Sequence, residues 1–275
     1  MILKGALGGL ASVIFAAPCR ICGQILTNSS RIPICKSCLA GFEQIVDPMC
    51  FCCGRPFSSA VAAEAAQPLC RLCRVSFYAF ERARSFAVYD EALSEAILLL
   101  KYEEVTRLGN WFSGRLAEIA LGDAKEWRAD VVVPVPLHPE RHRERGYNQA
   151  DLIARPLAKL LNLSCESRLL VRTKPRPPQL VLSRTDHWKS VRGAYATRDG
   201  LQVDNLRVLL VDDVLTTGAT LDACARALKK AGAAAVVGLT VARVRSWMIA
   251  PGSVVRAGEP AARGNRTGAE SIQKV

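Results

Sequence analysis

The chain has 275 residues, of which half are hydrophobic and 23% are charged, a composition that suits a folded globular protein with one good-sized core and a small module, or two modest domains. The formal net charge is +12, and residues 135–192 hold twelve Lys and Arg against five Asp and Glu. Two readings of this basic stretch stay open: a polyanionic partner such as nucleic acid or a pyrophosphate compound, or a basic face in contact with water only.

The first eighteen residues, MILKGALGGLASVIFAAP, contain one lysine and an apolar run. We interpret residues 3–15 as an amphipathic or core helix, because Pro18 and Cys19 follow at once. A secretory signal or a membrane-surface anchor is the alternative. The run is too short for a spanning helix, so we expect no membrane span.

Eight of the eleven cysteines form four C-x-x-C pairs before residue 74, and Cys52 is left over among them. Each pair places two thiolates at tetrahedral Zn²⁺ spacing, and a second pair completes a closed site. We therefore expect two zinc ribbons in tandem, each holding one structural Zn²⁺; Gly23 and Gly54 are expected to let backbone amides face the sulfurs. A disulfide framework, redox chemistry or an Fe–S cluster are the alternatives. The expected ligands are Cys19, Cys22, Cys35, Cys38, Cys50, Cys53, Cys70 and Cys73.

After residue 79 the pattern alternates between buried strands and amphipathic helices, which indicates a parallel α/β sheet flanked by helices. The expected strands are 84–89, 131–135, 207–212 and 234–242, and the expected helices are 91–101, 149–161 and 220–231. We divide the chain into an N-terminal helix (1–18), a double zinc ribbon (19–78), the α/β domain (79–249) and a disordered tail (250–275), with 58–67 as a mobile insert.

The segment VLLVDDVLTTGAT, residues 208–220, carries the chemistry of the α/β domain. A helix begins directly after its turn, and the N–H groups of a helix start form a phosphate cradle. Asp212 and Asp213 at the strand end would repel a phosphate unless they hold something else, and a ribose diol fits that position. A surface turn with a simple helix cap is the alternative. The expected phosphate-binding residues are Thr216, Thr217, Gly218, Ala219 and Thr220.

This segment lacks the Gly-Lys-Ser/Thr of a Walker loop and the Gly-x-Gly-x-x-Gly of a dinucleotide fold. It closely resembles the 5-phosphoribosyl-1-pyrophosphate (PRPP) signature of type I phosphoribosyltransferases. The resemblance implies that Asp212 and Asp213 contact the ribose hydroxyls, that the turn holds the 5′-phosphate, and that Mg²⁺ binds with PRPP. Such a pocket belongs in the cytoplasm, where nucleotide metabolites are, and this setting favours zinc over disulfides.

Two basic stretches are expected to be loops. The first, PVPLHPERHRERGYNQA, follows the strand at 131–135, and in a phosphoribosyltransferase this loop holds the pyrophosphate. Arg145, next to Gly146, is the expected phosphate contact, and a purely structural role is the alternative. The second, residues 172–192, is interpreted as a long loop that closes over the site.

The cysteine module, LLLKY, VPVPLH, RGYNQA, VRGAY and the PRPP signature together resemble the ComF family of competence-associated proteins, over about residues 19–243. Arg184 matches the family's R-x-x-x-x-x-N pattern, but Ser190 stands at the Asn position. Lys101 of the KY pair is expected in a hood above the sheet, within reach of the ligand. Two functions are consistent with this resemblance. The protein transfers a phosphoribosyl group to an unidentified nitrogen acceptor, or it is a non-catalytic PRPP sensor. Such a sensor would use its zinc ribbons to dock single-stranded DNA or DNA-processing partners such as a competence helicase.

Overall fold

The protein is described by a computed structural model. The expected N-terminal helix, most of the expected insert and the expected tail lie outside the described residues. The described ranges are 17–26, 31–57, 67–75, 78–122, 128–175, 184–198, 201 and 203–245.

A five-stranded parallel sheet in the order β1-β7-β6-β2-β3 forms the centre of the fold, and a separate antiparallel hairpin pairs β4 with β5. The order places β6, which carries the two adjacent acids, in the middle of the sheet. The sequence prediction of a parallel α/β sheet is therefore confirmed. The strands are β1 Arg82–Val88, β2 Val131–Pro134, β3 Ser164–Cys165, β4 Leu170–Arg172, β5 Tyr195–Thr197, β6 Arg207–Leu215 and β7 Ala235–Arg243.

Eight helices lie within the described ranges, and their starts follow ordinary capping rules. Asp90 caps the third helix by accepting from the Leu93 amide at 2.8 Å, and Asn148 caps the sixth by accepting from Ala150 at 3.1 Å. The helices are α1 Lys36–Ala40, α2 Arg71–Val75, α3 Glu91–Tyr102, α4 Arg107–Gly122, α5 Pro139–Arg145, α6 Gln149–Leu160, α7 Arg184–Val191 and α8 Ala219–Lys230.

Two hydrophobic cores cover the two faces of the sheet. One core joins α3, α4 and α6 to the sheet and also takes in Cys19, Ile34 and Phe42 from the cysteine module. The other joins α8 to the opposite face. The cysteine module is therefore packed on the α/β domain, and its burial stabilises both. In the part of the chain that the structure describes, no helix has both the length and the apolar character that crossing a bilayer requires.

Three predicted elements differ from the structure. β6 runs three residues beyond Asp212, so both acids lie inside the strand. The first basic stretch holds a short helix, α5, which begins with Pro139 at its first position and ends at Gly146 with φ of 79°. The second, residues 172–192, begins with the last residue of β4 and contains α7, so it is not one long loop.

Candidate functional site

A cleft of about 160 Å³ opens where β2, β6 and β7 end. Its floor includes Val135 and Pro136 just after β2, the acids of β6, and Val244 just after β7. Open parallel sheets bind their ligands outside the carboxyl ends of the strands, which is where this cleft lies. Cations, aromatic rings and the two acids face one another across it.

Asp212 and Asp213 lie side by side and are only 8% and 6% exposed. The Asp213 amide donates to Asp212 Oδ1 at 2.9 Å, and Lys101 Nζ lies 2.5 Å from Asp213 Oδ2. Burial, reinforced by the neighbouring Asp213 charge, raises the pKa of Asp212 well above its usual range. Burial would raise the pKa of Asp213 as well, but the Lys101 ammonium outweighs it and lowers that pKa. The pair therefore favours one protonated carboxyl beside one carboxylate.

Replacing Asp212 by asparagine should stabilise the protein at neutral and alkaline pH. When the folded pKa of a carboxyl group exceeds its unfolded value of about 3.9, the free energy of unfolding of the protein falls as the pH rises through the folded pKa. Asparagine keeps the same shape without ionising, and each kcal/mol regained raises Tm by about 2–4 °C. Thermal unfolding at pH 8 should show a higher Tm for Asp212→Asn; an equal or lower Tm would contradict the assigned protonation.

A hydrogen-bonded chain connects the acids to the first basic stretch. Gln149 Nε2 donates to Asp213 Oδ2 at 3.3 Å, and Arg145 Nη1 donates to Gln149 Oε1 at 2.5 Å. The Arg145 guanidinium also lies 4.8 Å from the centre of the Tyr102 ring. The sequence shows Gln149 only as a member of the RGYNQA motif and predicts no role for it. Its 6% exposure and its two polar partners identify it as part of the site.

The cleft carries more positive charge than the sequence predicts. Arg141 lies one turn before Arg145 on α5, and both line the cleft, whereas Arg143 between them is exposed. Arg172 on β4 lines the cleft from the other side and donates to the Tyr195 hydroxyl at 3.3 Å. In the sequence Arg172 stands out only as the start of a basic loop. Ser190 also lines the cleft, while the Arg184 side chain lies outside the described atoms.

The turn before α8 needs a glycine at position 218. Gly218 takes the left-handed conformation with φ of 86°, and a Cβ there would lie 2.9 Å from Cε1 of Tyr78. Glycine is thus required by its own backbone and by the Tyr78 ring, and the second requirement cannot be read from the sequence. Thr216 and Thr220 line the cleft, while Thr217 is buried and accepts from the Ala219 amide at 3.3 Å.

The eight paired cysteines form two clusters, as predicted. The four sulfurs of each cluster lie within 4.8 Å of one another, and pairs one and two form the first cluster, while pairs three and four form the second. Thiolates at tetrahedral spacing fit Zn²⁺.

Backbone amides face sulfurs in both clusters. Cys35 N donates to Cys19 Sγ at 3.3 Å, and Cys70 N donates to Cys50 Sγ at 3.3 Å. The amides of Gly23 and Gly54 themselves donate to the carbonyl oxygens of the first cysteine of their pairs, which closes each C-x-x-C turn. Both glycines have positive φ, which explains their place after each C-x-x-C turn.

Two segments of the chain match models of known protein domains. Residues 10–77 match the model of the double zinc ribbon domain, and residues 152–247 match that of the phosphoribosyl transferase domain. Over 225 residues the chain is 31% identical to the DNA utilization protein YhgH of Salmonella typhimurium, covering 79% of this chain and 93% of that protein. Competence protein F of Haemophilus influenzae is 33% identical over 149 residues, covering 52% of this chain and 65% of that protein.

The chain belongs to the ComF family. A further ComF-family relative, the competence protein ComFC of Bacillus subtilis, is 27% identical over 215 residues, which are 74% of this chain and 81% of that protein. The match to the double zinc ribbon model and the two cysteine clusters together support structural zinc in this ComF-family protein.

Solved phosphoribosyltransferase structures are also similar in part. A glutamine PRPP amidotransferase from B. subtilis, complexed with ADP and GMP, aligns at a TM-score of 0.34 and 23% identity, covering 49% of this chain and 26% of that one. A purine phosphoribosyltransferase from Pyrococcus horikoshii aligns at a TM-score of 0.31 and 18% identity, covering 48% and 83%. At these scores they add nothing to the family assignment.

Proposed function

We propose that the cleft binds PRPP with Mg²⁺ and that the protein transfers the phosphoribosyl group to a nitrogen acceptor. The observation that carries this proposal is the meeting, in one cleft, of the adjacent acids of β6, the start of α8 and three arginines. The match of residues 152–247 to the phosphoribosyl transferase model supports it. PRPP requires three kinds of contact, to its 5′-phosphate, its ribose diol and its pyrophosphate.

The 5′-phosphate would bind at residues 216–220. α8 is twelve residues long, so its first turn offers backbone N–H groups with a partial positive charge. Thr216 and Thr220 add hydroxyl groups that already line the cleft. The remaining members of the turn, Thr217, Gly218 and Ala219, would contribute their backbone.

The ribose diol would bind at Asp212 and Asp213. A carboxylate accepts hydrogen bonds from two hydroxyls, and a protonated carboxyl both accepts and donates, so the pair can satisfy a diol. Carboxylate oxygens are also the ligands that Mg²⁺ prefers, and Asp213 is the ionised member of the pair. When bound, Mg²⁺ would neutralise charge on the pyrophosphate oxygens. Lys101, now 2.5 Å from Asp213, would then be free to face the ligand.

The pyrophosphate would bind towards Arg145, Arg141 and Arg172. Guanidinium groups bind phosphate oxygens through paired N–H donors, and such charge-assisted bonds are the strongest in this class. They would also stabilise the charge that develops when the bond from the ribose to the pyrophosphate breaks. Positioning and charge stabilisation would thus carry the reaction, which needs no covalent nucleophile.

The acceptor is tested by mixing the protein with PRPP, Mg²⁺ and a panel of nitrogen bases and measuring released pyrophosphate. We expect release with at least one base and loss of release in Asp213→Ala, because that variant lacks the carboxylate that holds the diol. Asp151→Asn, an acid on α6 outside the cleft that pairs with Arg155, serves as the matched control. Pyrophosphate release that persists in Asp213→Ala would overturn the assigned site.

The names of the relatives favour a second function. They are described as competence and DNA utilization proteins. In this alternative the protein is a cytoplasmic PRPP sensor that acts in DNA uptake, and its zinc ribbons dock single-stranded DNA or a DNA-processing partner such as a helicase. Tight PRPP binding without pyrophosphate release from any base would favour the sensor. DNA binding of this kind should weaken steeply with salt.

A further inference from the structure

Arg243, the last residue of β7, lies between the second cysteine cluster and the phosphate-binding turn. It is 1% exposed. Its Nη1 donates to the carbonyl oxygen of Leu215 at 2.8 Å and to that of Thr216, and its Nη2 donates to Cys53 Sγ at 3.5 Å. One guanidinium therefore touches a cluster ligand and the backbone of the turn at the same time.

The charge of Arg243 needs a counter-charge, since burying an unpaired cation is costly. Among the described residues, no carboxylate pairs with it at ion-pair distance, and its Nε has no hydrogen-bond partner. A Zn²⁺ ion held by four thiolates has a net charge of about −2, so the second cluster is the group that can balance this cation. The position of Arg243 thus depends on the cluster.

The carbonyl groups that Arg243 holds set the direction of the neighbouring N–H groups. In a trans peptide the C=O of one residue and the N–H of the next point in opposite directions. Holding the carbonyls of Leu215 and Thr216 therefore turns the amides of Thr216 and Thr217 away from the cluster. Tyr78 does the same at the next peptide, because its hydroxyl donates to the Thr217 carbonyl at 2.9 Å.

The segment after the last cysteine pair reinforces this link. Tyr78 lies three residues beyond α2 and covers Gly218, and the amide of Ala79 donates to the buried Asp222 of α8 at 2.7 Å. On the other side of the cluster, the Ala83 amide of β1 donates to the carbonyl of Cys52 at 2.7 Å. The second cluster is thus fastened both to the sheet and to the start of α8.

The first cluster contacts other parts of the fold than the second cluster does, so it can serve as an internal control. Cys19 packs in the core with α3 and α4, and Arg20 donates to both carboxylate oxygens of Glu103 at 2.5 and 2.6 Å. The hydrogen bonds to the sulfurs of the first cluster, from the Cys35 amide to Cys19 Sγ and from the Cys38 amide to Cys35 Sγ, stay inside the cysteine module. Metal loss from the first cluster should therefore leave the turn unchanged.

We propose that Arg243 is a positioning residue, through which zinc in the second cluster fixes the amides of the phosphate-binding turn. The phosphate ligand of this inference rests on the proposed function, whereas the link between zinc and the turn does not. Two consequences follow. Zinc in the second cluster should protect residues 215–220 from hydrogen exchange, and a ligand on the turn should in return retain that zinc, because coupling between sites is reciprocal.

The test combines zinc counting by native mass spectrometry, hydrogen exchange of a peptide covering residues 211–222, and PRPP titration. In Arg243→Met we expect two zinc ions, amide exchange in the turn at least about tenfold faster, and a PRPP Kd raised about tenfold or more. Arg243→Lys keeps the charge and should recover part of both effects. Arg143→Met, on the exposed side of α5, is the matched control.

Chelator challenge of the unaltered protein supplies a measurement that needs no variant. Bound PRPP should slow zinc loss from the second cluster and leave loss from the first unchanged, an effect that a merely structural arginine would not produce. Wild-type exchange and affinity in Arg243→Met, or equal chelation rates with and without PRPP, would overturn the inference. If the unaltered protein binds no PRPP but Arg243→Met still loosens the turn, the proposed function fails and the positioning role stands.

Discussion

Replacing Cys50 by serine should remove one zinc ion and destabilise the protein more than the loss of any single ion pair or hydrogen bond. Cys50 is fully buried, and its sulfur accepts from the Cys70 amide inside the second cluster. Structural zinc sites contribute about 10–16 kcal/mol in isolated zinc-finger peptides, which is comparable to the about 5–15 kcal/mol that stabilises a whole domain. We expect native mass spectra with one zinc instead of two, and a Tm more than about 10 °C lower.

Cys52 provides the matched control for that experiment. It lies next to Cys53 but is outside both clusters. Cys52→Ser should keep two zinc ions and nearly the original Tm. Loss of zinc in Cys52→Ser, or two zinc ions in Cys50→Ser, would contradict the assignment of ligands.

The second large effect is expected at the ion pair in the cleft. Lys101→Met leaves the Asp213 carboxylate buried without its cation, and breaking a buried pair in this way costs about 3–5 kcal/mol. The side chains are 14% and 8% exposed, so solvent can replace little of the lost interaction. Urea unfolding at pH 7 should show this loss, and the double variant Lys101→Met with Asp213→Asn should recover most of it.

The loss should also depend on pH in a defined direction. In the unaltered protein Lys101 lowers the pKa of Asp213. The ion pair therefore stabilises the fold above the unfolded pKa of about 3.9, and this stabilisation is lost as the pH falls through the folded pKa. Without Lys101, burial raises that pKa, so the defect should shrink as the pH is lowered towards 4. A defect of the same size at pH 7 and pH 4.5, or none at either, would contradict the ion pair as described.

The fold could be predicted from the sequence because its signals are local. β2, residues 208–211 of β6 and most of β7 are apolar runs, as buried parallel strands require. The spacing of the C-x-x-C pairs alone predicts the two cysteine clusters. The turn at residues 216–220 is predictable in the same way, because a strand, two acids and a glycine-containing turn before a helix follow one another in the chain.

The rest of the cleft depends on contacts between residues far apart in the chain. Arg172 and Gln149 come to the acids of β6 from other elements, and Arg243 reaches Cys53 across 190 positions of sequence. No local sequence pattern predicts such contacts between residues that are distant in the chain. Short polar elements are hard to predict for a related reason. α5 has no apolar face, so Pro139 at its start and Gly146 after its end are its main signals in the sequence.

The central claim, that the cleft binds PRPP, is tested most directly by calorimetric titration of the protein with PRPP and Mg²⁺. We expect saturable binding of one PRPP per chain, a Kd raised about 10–100-fold in Arg145→Gln, which removes a charge-assisted contact, and an unchanged Kd in Arg143→Gln on the exposed side of α5. Absence of binding by the unaltered protein, or equal affinity of all three proteins, would contradict it.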